Sequence, residues 1–194
     1  METVRLATER LELRPFRSAD VDDVAAACQD PEIARWIPIP VPYGREDALE
    51  FVERISPGGW REDTMYNFGV FTRDTRSLVG SMGLVRLAEL RAPTHQAEIG
   101  FWTAKPQRRK GYTEEAARAV IRWAFEDLGV ERLEWVATAG NTASRAVAEK
   151  LGFVMEGLQR AKIVHRGVRR DAWHGALLPT DWDRSLHTPY LPAR

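Results

Sequence analysis

The chain has few of the residues that cross-link a fold, and no segment that would anchor it in a membrane. It contains a single cysteine, Cys28, so an internal disulfide is excluded and a cysteine-based metal site is disfavoured. No apolar run approaches the roughly 20 residues that a membrane-spanning helix needs, and the first residues lack the apolar core of a signal peptide. We therefore expect a cytoplasmic protein with no membrane partner.

The sequence also lacks an excess of charge of either sign. Its 28 basic and 28 acidic residues give a formal net charge of zero, which argues against a nucleic-acid partner held by an overall positive field. The four histidines, His95, His165, His174 and His187, show no metal-ligand spacing, so we expect no metal site. With 194 residues and 44% hydrophobic content, a single folded domain over residues 1–194 is predicted.

A basic turn that leads into an amphipathic helix, at residues 107–116, organises the rest of the pattern. Residues 97–103, just before it, read as a strand. The first turn of a helix has unpaired N–H groups and the positive end of the helix dipole, which together stabilise a phosphate. Gly111 would let the backbone approach that anion. The alternative is a basic surface loop before an ordinary helix. The helix has two apolar rows, Ala116, Val120, Ala124, Leu128 and Ala117, Ile121, Phe125.

A second motif downstream indicates which kind of protein the basic turn belongs to. Residues 141–153 resemble the N-x-x-S-x-x-[VL]-x-x-K-x-G-F signature of the GNAT acyl-CoA N-acyltransferases, and Arg108 to Gly111 resemble the R-x-x-G of the same superfamily. Residues 8–16 and 98–102 are similar to the RimJ/RimL-like branch, which acetylates ribosomal proteins. One position departs from the family, since Thr113 replaces its Gly or Ala; the hydroxyl either donates to a phosphate or displaces it.

The resemblance extends from about residue 8 to about residue 182 and implies a complete fold and activity. It implies an α/β GNAT fold, with a mixed, mostly antiparallel central sheet that splays at the CoA site and has helices on both faces. It implies acetyl-CoA as co-substrate and a primary amine as acceptor, most readily a protein N-terminal α-amine, with direct attack in a ternary complex. It also suggests a homodimer.

The element boundaries are predicted from periodicity and capping. We expect strands at residues 10–17, 65–71, 78–87, 97–103, 133–138, 153–164 and 168–178, the last two forming a hairpin. Helices are expected at residues 19–29, after Ser18 as N-cap, at 45–55, and after each signature motif. Asp30-Pro31 should end the first helix, and residues 36–44, rich in proline, should be irregular.

Matching the family motifs assigns the binding residues. The resemblance places the pantetheine beside the strand at residues 101–103 and the phosphates at the helix start. Trp36 and Tyr43 are candidates for the acceptor site, although aromatic residues in such a loop can equally be packed into the core. The candidate CoA-binding residues are Phe101, Trp102, Thr103, Arg108, Arg109, Lys110, Gly111, Tyr112, Thr113 and Asn141.

Two residues are candidates for catalysis. Glu98 would accept a proton from the amine, directly or through a water, because a partly buried carboxylate gains basicity; the alternative is a solvent-facing strand residue. Ser144 matches the family serine that is proposed to protonate the CoA thiolate; the alternative is an ordinary first-turn serine beneath the Asn141 cap. A backbone N–H near Phe101 or Trp102 would stabilise the charge on the carbonyl oxygen.

Two other functions are consistent with the sequence. The acceptor can be a small-molecule amine, such as an aminoglycoside or polyamine, in a site lined by carboxylates. The chain can also be a non-catalytic acyl-CoA-binding module. The carboxylates available for a polyamine site are Glu46, Asp47, Glu50, Glu62 and Asp63.

Overall fold

The chain forms one eight-stranded mixed sheet. The computed structural model describes residues 1–91 and 93–193; Ala92 and Arg194 lie outside the described residues. Neighbouring strands are antiparallel except for β5 and β6, in the order β1-β2-β3-β4-β5-β6-β8-β7. The strands are β1 Leu6–Ala7, β2 Leu11–Arg14, β3 Met65–Thr72, β4 Leu78–Val85, β5 Gln96–Thr103, β6 Arg132–Thr138, β7 Val154–His165 and β8 Val168–Leu177.

The helices pack in two groups, each with its own buried cluster. One cluster holds α5 and α6 against the sheet through residues such as Ala117, Ile121 and Leu151. The other holds α1 and α3 through Val24, Ala48 and their neighbours. The helices are α1 Val21–Cys28, α2 Pro31–Trp36, α3 Arg45–Glu50, α4 Ser56–Arg61, α5 Tyr112–Glu126 and α6 Thr142–Leu151, with a π-helical turn Phe51–Ile55 between α3 and α4.

The predicted α/β fold is confirmed, and most elements lie where periodicity placed them. α5 begins directly after Gly111, where the sequence predicted the helix start, and α6 begins at the predicted Asn141 cap, whose side chain accepts a hydrogen bond from Ser144 N at 3.2 Å. The predicted hairpin of β7 and β8 turns at Arg166 and Gly167, which both have positive φ, as a two-residue hairpin turn of this kind requires.

The first helical region differs from the prediction in two ways. Ser18 is not an N-cap: it lies inside a 3₁₀ turn, and the Asp20 carboxylate instead accepts the Arg17 N–H at 2.7 Å. Asp30-Pro31 ends α1 as predicted but also begins α2, because Asp30 accepts the Glu32 N–H at 3.2 Å and proline suits the first helical position. Trp36 therefore ends a helix rather than beginning an irregular loop.

Glycine is required in β4 where it packs against β5. A Cβ built on Gly80 would lie 2.0 Å from the backbone oxygen of Trp102, so the two strands can keep their register only without a side chain there. Gly100, on the partner strand, has nothing within 4 Å of the same position.

We predict that Gly80→Ala destabilises the fold by about 1–3 kcal/mol, the usual cost of forcing atoms into a packed site. Gly100→Ala, the matched control, should change the free energy of unfolding far less. Urea denaturation of both variants measures the difference. Equal stability of the two variants would contradict the close approach of β4 and β5.

Candidate active site

The site is built on a divergence of two neighbouring strands. β5 and β6 pair in parallel only from Gln96–Glu98 to Arg132–Glu134. Beyond Glu98, β5 continues along β4 to Thr103, while β6 continues along β8 to Thr138. The facing edges of β5 and β6 therefore have backbone groups that no strand satisfies, and these groups are available to a ligand.

A cavity of about 850 Å³ occupies this divergence and extends to both sides of it. On one side it is bordered by the start of α5 and by α6. On the other it reaches α1, α2 and the following loop. The hairpin tip of β7 and β8 closes over this second side, where the Arg166 guanidinium donates to the Ala34 carbonyl at 2.9 Å. The apolar residues that line the cavity on this second side include Val24, Ile33, Ile37, Ile39, Phe51 and Ile163.

The start of α5 has the geometry of an anion site, although not all of its predicted residues line the cavity. Gly111 has φ +80, and Arg109 also has a positive φ, so the loop turns sharply before the helix. Arg109 and Thr113 line the cavity. Lys110 instead donates to Gln107 Oε1 at 2.9 Å, and the Arg10 guanidinium lies 4.7 Å above the Tyr112 ring. Lys110, Gly111 and Tyr112, the first residue of α5, are not part of the cavity lining.

Thr113, the departure from the family pattern, makes a specific contact. Its hydroxyl lies 2.7 Å from the Thr103 hydroxyl at the end of β5. In such a pair one O–H is used as donor, and the other remains free to donate to a ligand. The pair also joins the end of β5 to the first turn of α5.

The Arg108 side chain connects the loop before α5 to the start of α2. Its Nε donates to the Thr103 carbonyl at 3.0 Å, and its Nη2 lies 2.6 Å from Asp30 Oδ2. Asp30 is at the same time the N-cap of α2. The guanidinium therefore holds together the two sides of the cavity, and a phosphate would have to compete with Asp30 for it.

Glu98 lies where β5 and β6 part, and its side chain is only 14% exposed. Its Oε2 is buried without a hydrogen-bond partner; Arg86 Nε lies 3.0 Å away but outside hydrogen-bonding geometry. Burial raises the pKa of Glu98, an effect that the nearby Arg86 cation opposes and the Glu134 carboxylate reinforces. Of the two alternatives, a solvent-facing residue is thus disfavoured by the structure.

A row of polar side chains continues from Glu98 across the sheet. Glu134 is its partner on β6, and His174 of β8 contacts Glu134 Oε1 through Nε2 at 3.3 Å and Glu156 Oε2 through Nδ1 at 3.0 Å. Arg132 closes the row with two hydrogen bonds to Glu156, at 2.9 and 2.6 Å. Glu98 and Glu134 are thus neighbouring carboxylates, and Arg132 pairs with both Glu134, at 3.2 Å, and Glu156.

Ser144 and Asn141 lie on the α6 side of the cavity. The Ser144 hydroxyl oxygen accepts a hydrogen bond from the Trp135 indole N–H at 3.0 Å. Because the oxygen is used as acceptor, the O–H of Ser144 remains free to donate toward the cavity. Both residues line it, as do Phe101, Trp102 and Thr103.

The aromatic candidates lie on the opposite side. Trp36 and Tyr43 both line the cavity, and Tyr43, 8% exposed, is also part of the α1–α3 cluster. Cys28 lines it too and is buried; burial raises its pKa to about 12, so it remains a thiol near neutral pH. Within residues 1–91 and 93–193 no helix is long and apolar enough to cross a membrane, and no group of His, Cys, Asp and Glu is arranged to bind a metal.

Comparison with known proteins agrees with this geometry. The family model described as the acetyltransferase (GNAT) domain matches residues 10–154. The chain belongs to the GNAT acetyltransferase family. The predicted family and enzyme class are thereby confirmed, and so is the sheet that splays at its centre.

The relatives include proteins connected with ribosomal acetylation. YdaF of Bacillus subtilis, provisionally named a ribosomal N-acetyltransferase, is 38% identical over 101 residues, which span 52% of this chain and 55% of YdaF. A Vibrio cholerae structure, provisionally described as a ribosomal-protein-serine acetyltransferase, is 26% identical with a TM-score of 0.81, over 91% of this chain and 98% of its own. Mycobacterium smegmatis RimJ, solved with CoA-disulfide, has the same fold, with a TM-score of 0.81, 21% identity and coverage of 94% and 90%.

Several residues of the site could not be recognised in the sequence. Arg86, Glu134 and His174 reach Glu98 only through strand pairing, and no local motif marks them. Asp30 has a detectable signal as the N-cap before Pro31, but its pairing with Arg108, 78 positions away, has none.

We predict that Arg86→Gln raises the pKa of Glu98, because the cation that favours the carboxylate is removed while burial still favours the neutral acid. NMR titration of carboxyl-labelled glutamates, with the Glu98 signal assigned by Glu98→Gln, measures the shift. Arg122→Gln, on an exposed position of α5, is the control and should leave the Glu98 titration unchanged. A lower Glu98 pKa in Arg86→Gln would contradict the assignment.

Proposed function

We propose that this protein transfers the acetyl group of acetyl-CoA to the α-amine of a polypeptide N-terminus, by direct attack with both substrates bound. The observation that carries the proposal is one continuous cavity. It joins an anion-binding helix start to an apolar chamber, and it has the desolvated carboxylate of Glu98 at the junction.

The residues present fit an acyl-CoA. The start of α5, with Arg109 and Lys110 around it, suits the phosphates, and the free backbone edge of β5 together with Asn141 suits the amide groups of pantetheine. When bound, acetyl-CoA supplies an acetyl group activated as a thioester. The backbone N–H groups near Phe101 and Trp102 would stabilise the charge that develops on the carbonyl oxygen.

Glu98 serves the first requirement of the reaction, which is that the acceptor amine loses its proton. The α-amino group has a pKa of about 7.7–8.0, so only a minority is unprotonated at neutral pH, and a nearby base of moderate strength is enough. Burial raises the pKa of Glu98 and so strengthens it as a base. Its Oε2, which pairs with the Arg86 cation at 3.0 Å but accepts no hydrogen bond, is the atom that would receive the proton, directly or through one water.

Ser144 meets the second demand, a proton for the departing thiolate. The indole of Trp135 occupies its oxygen as acceptor and orients the hydroxyl, leaving the O–H as donor. With a thiol pKa near 8.5, this proton assists departure without being obligatory.

Direct attack, rather than a covalent acyl-enzyme, is supported by the state of the one cysteine. Cys28 lines the cavity, but with a pKa of about 12 it is not a thiolate near neutral pH.

The acceptor chamber favours a chain end over a polyamine or aminoglycoside. Its lining is largely apolar, and Glu32 and Glu98 are the acidic residues in it. The carboxylates that a polyamine site would have used are engaged or placed elsewhere: Asp47 accepts the Gly44 N–H, Glu50 pairs with Arg54, and Asp63 binds the chain's own Met1 amine. Glu46 and Glu62 are not part of the lining. The provisional names of YdaF and the Vibrio cholerae protein support a ribosomal protein as the acceptor.

We predict that Glu98→Gln lowers kcat by about 100-fold or more, the range for loss of a general base, with little change in the KM for acetyl-CoA. It should also raise stability at neutral pH. Because the folded-state pKa of Glu98 is raised, ionisation costs folded-state stability as pH rises toward and through that pKa, and the amide has no such cost. Steady-state kinetics and thermal unfolding from pH 5 to 8 measure both effects.

The control for this change is Glu53→Gln, an exposed carboxylate outside the cavity. Unchanged kcat in Glu98→Gln across a peptide panel that the parent acetylates would exclude Glu98 as the base.

We predict that acetyl-CoA at 100 times its dissociation constant stabilises the parent protein by about 2.7 kcal/mol, and that Gly111→Asp abolishes this gain. The substitution places a negative side chain at the helix start in a backbone with φ +80. Gly129→Asp, at φ +68 with nothing within 4 Å, imposes a similar backbone cost outside the site and should keep the gain. Thermal unfolding with and without acetyl-CoA makes the comparison, and equal gains in both variants would move the phosphates away from α5.

A further inference from the structure

The tip of the β7–β8 hairpin carries charge of one sign in a chain whose overall charge is zero. Residues 157–170 contain five cations and no acidic residue. All five side chains are exposed, and within residues 1–91 and 93–193 none of them forms an ion pair. We call these five residues the basic hairpin: Arg160, Lys162, Arg166, Arg169 and Arg170.

The basic hairpin lies at the acceptor side of the cavity. Ile163 and Val164 line the cavity, and they are the strand partners of Arg170 and Arg169. Side chains of directly paired antiparallel residues lie on the same face, so each arginine stands beside a residue of the wall. Burial raises the pKa of Glu98, and of the cations that oppose this, Arg86 acts most strongly and Lys162, on the hairpin, least.

The arrangement is not explained by the protection of a sheet edge. Edge strands often carry charges that prevent pairing with other chains, and β7 is such an edge. Charges of either sign would serve that purpose. Between Glu156 and Asp171, which flank the tip, the charges are all positive, four of the five are arginines, and two of those lie on β8. Guanidinium groups suit carboxylates in particular, because their paired N–H groups match the two oxygens.

A cationic surface beside the acceptor site has two effects on an incoming chain end. It disfavours the protonated form of the amine, which is the unreactive form. It also repels a basic chain and attracts an acidic one, raising the rate of encounter. An acceptor with carboxylates a few residues after its amine would gain the attraction while its amine lies in the apolar chamber.

We propose that the basic hairpin binds an acidic segment of the acceptor polypeptide, directly after its N-terminal residues, and so selects acidic protein termini as substrates. This inference rests on the proposed function, since it names the class of acceptor for the same site.

The test compares three peptides that share their first three residues and continue with four glutamates, four glutamines or four lysines. Binding of fluorescein-labelled peptides is followed by anisotropy and acetyl transfer by thiol release, both at low and high salt. The Arg169→Glu/Arg170→Glu double variant removes the charge. The Arg61→Glu/Arg122→Glu variant makes the same change in net charge at exposed positions away from the cavity.

We expect the parent and the control variant to prefer the acidic peptide over the neutral one by about tenfold at low salt, with the preference decreasing as salt screens the charges. The hairpin variant should lose the preference while keeping its stabilisation by acetyl-CoA, which shows that it is folded.

Three results would overturn the inference: equal binding of acidic and neutral peptides, a preference that survives in the hairpin variant, or displacement of the acidic peptide by an RNA oligonucleotide at lower concentration than by unlabelled peptide. The last would identify a nucleic-acid surface. If the parent acetylates no peptide, the proposed function fails, but the anisotropy measurement still decides whether the hairpin binds acidic chains.

Discussion

The structure depends on the point where β5 and β6 stop pairing. Three residues of each strand form the parallel contact, and then each strand follows its other neighbour, β4 or β8. A continuous sheet would have used every backbone group here in its own hydrogen bonds. The separation instead leaves unpaired backbone groups along an edge, a cavity between the two strands, and Glu98 at the apex, where burial raises the pKa of its carboxyl. In the proposed function, donor binding, acceptor access and base strength thus have one geometric origin.

The separation is held open by contacts that span long stretches of sequence. The Arg108 guanidinium joins the end of β5 to the start of α2 through Asp30, and the Thr103–Thr113 hydroxyl pair joins β5 to α5. The loop that would hold the donor is therefore mechanically connected to the helix that borders the acceptor chamber. A ligand that drew Arg108 away from Asp30 would also remove a partner from the cap of α2.

Elements with a strong local signal could be predicted from the sequence, and those that depend on distant partners could not. α5 has two apolar rows that start shortly after Gly111, α6 follows the Asn141 cap of its signature motif, and both were placed correctly. Ser18 was wrongly taken as a cap, because residues 18–20 form a 3₁₀ turn before α1 and the Asp20 carboxylate accepts the Arg17 N–H across that turn. The position of His174 beside Glu134 and Glu156 could not be predicted, because it depends on the pairing of β8 with both β6 and β7. Pro31 was predicted only to end the first helix, whereas it is also the first residue of α2.

The bond between Arg166 and the Ala34 carbonyl has a topological consequence. This bond spans 132 positions of the sequence and crosses the side of the cavity that we propose for the acceptor. Any movement that separated the hairpin tip from α2 would break it, so the width of the cavity on this side depends on a contact that neither element can make alone.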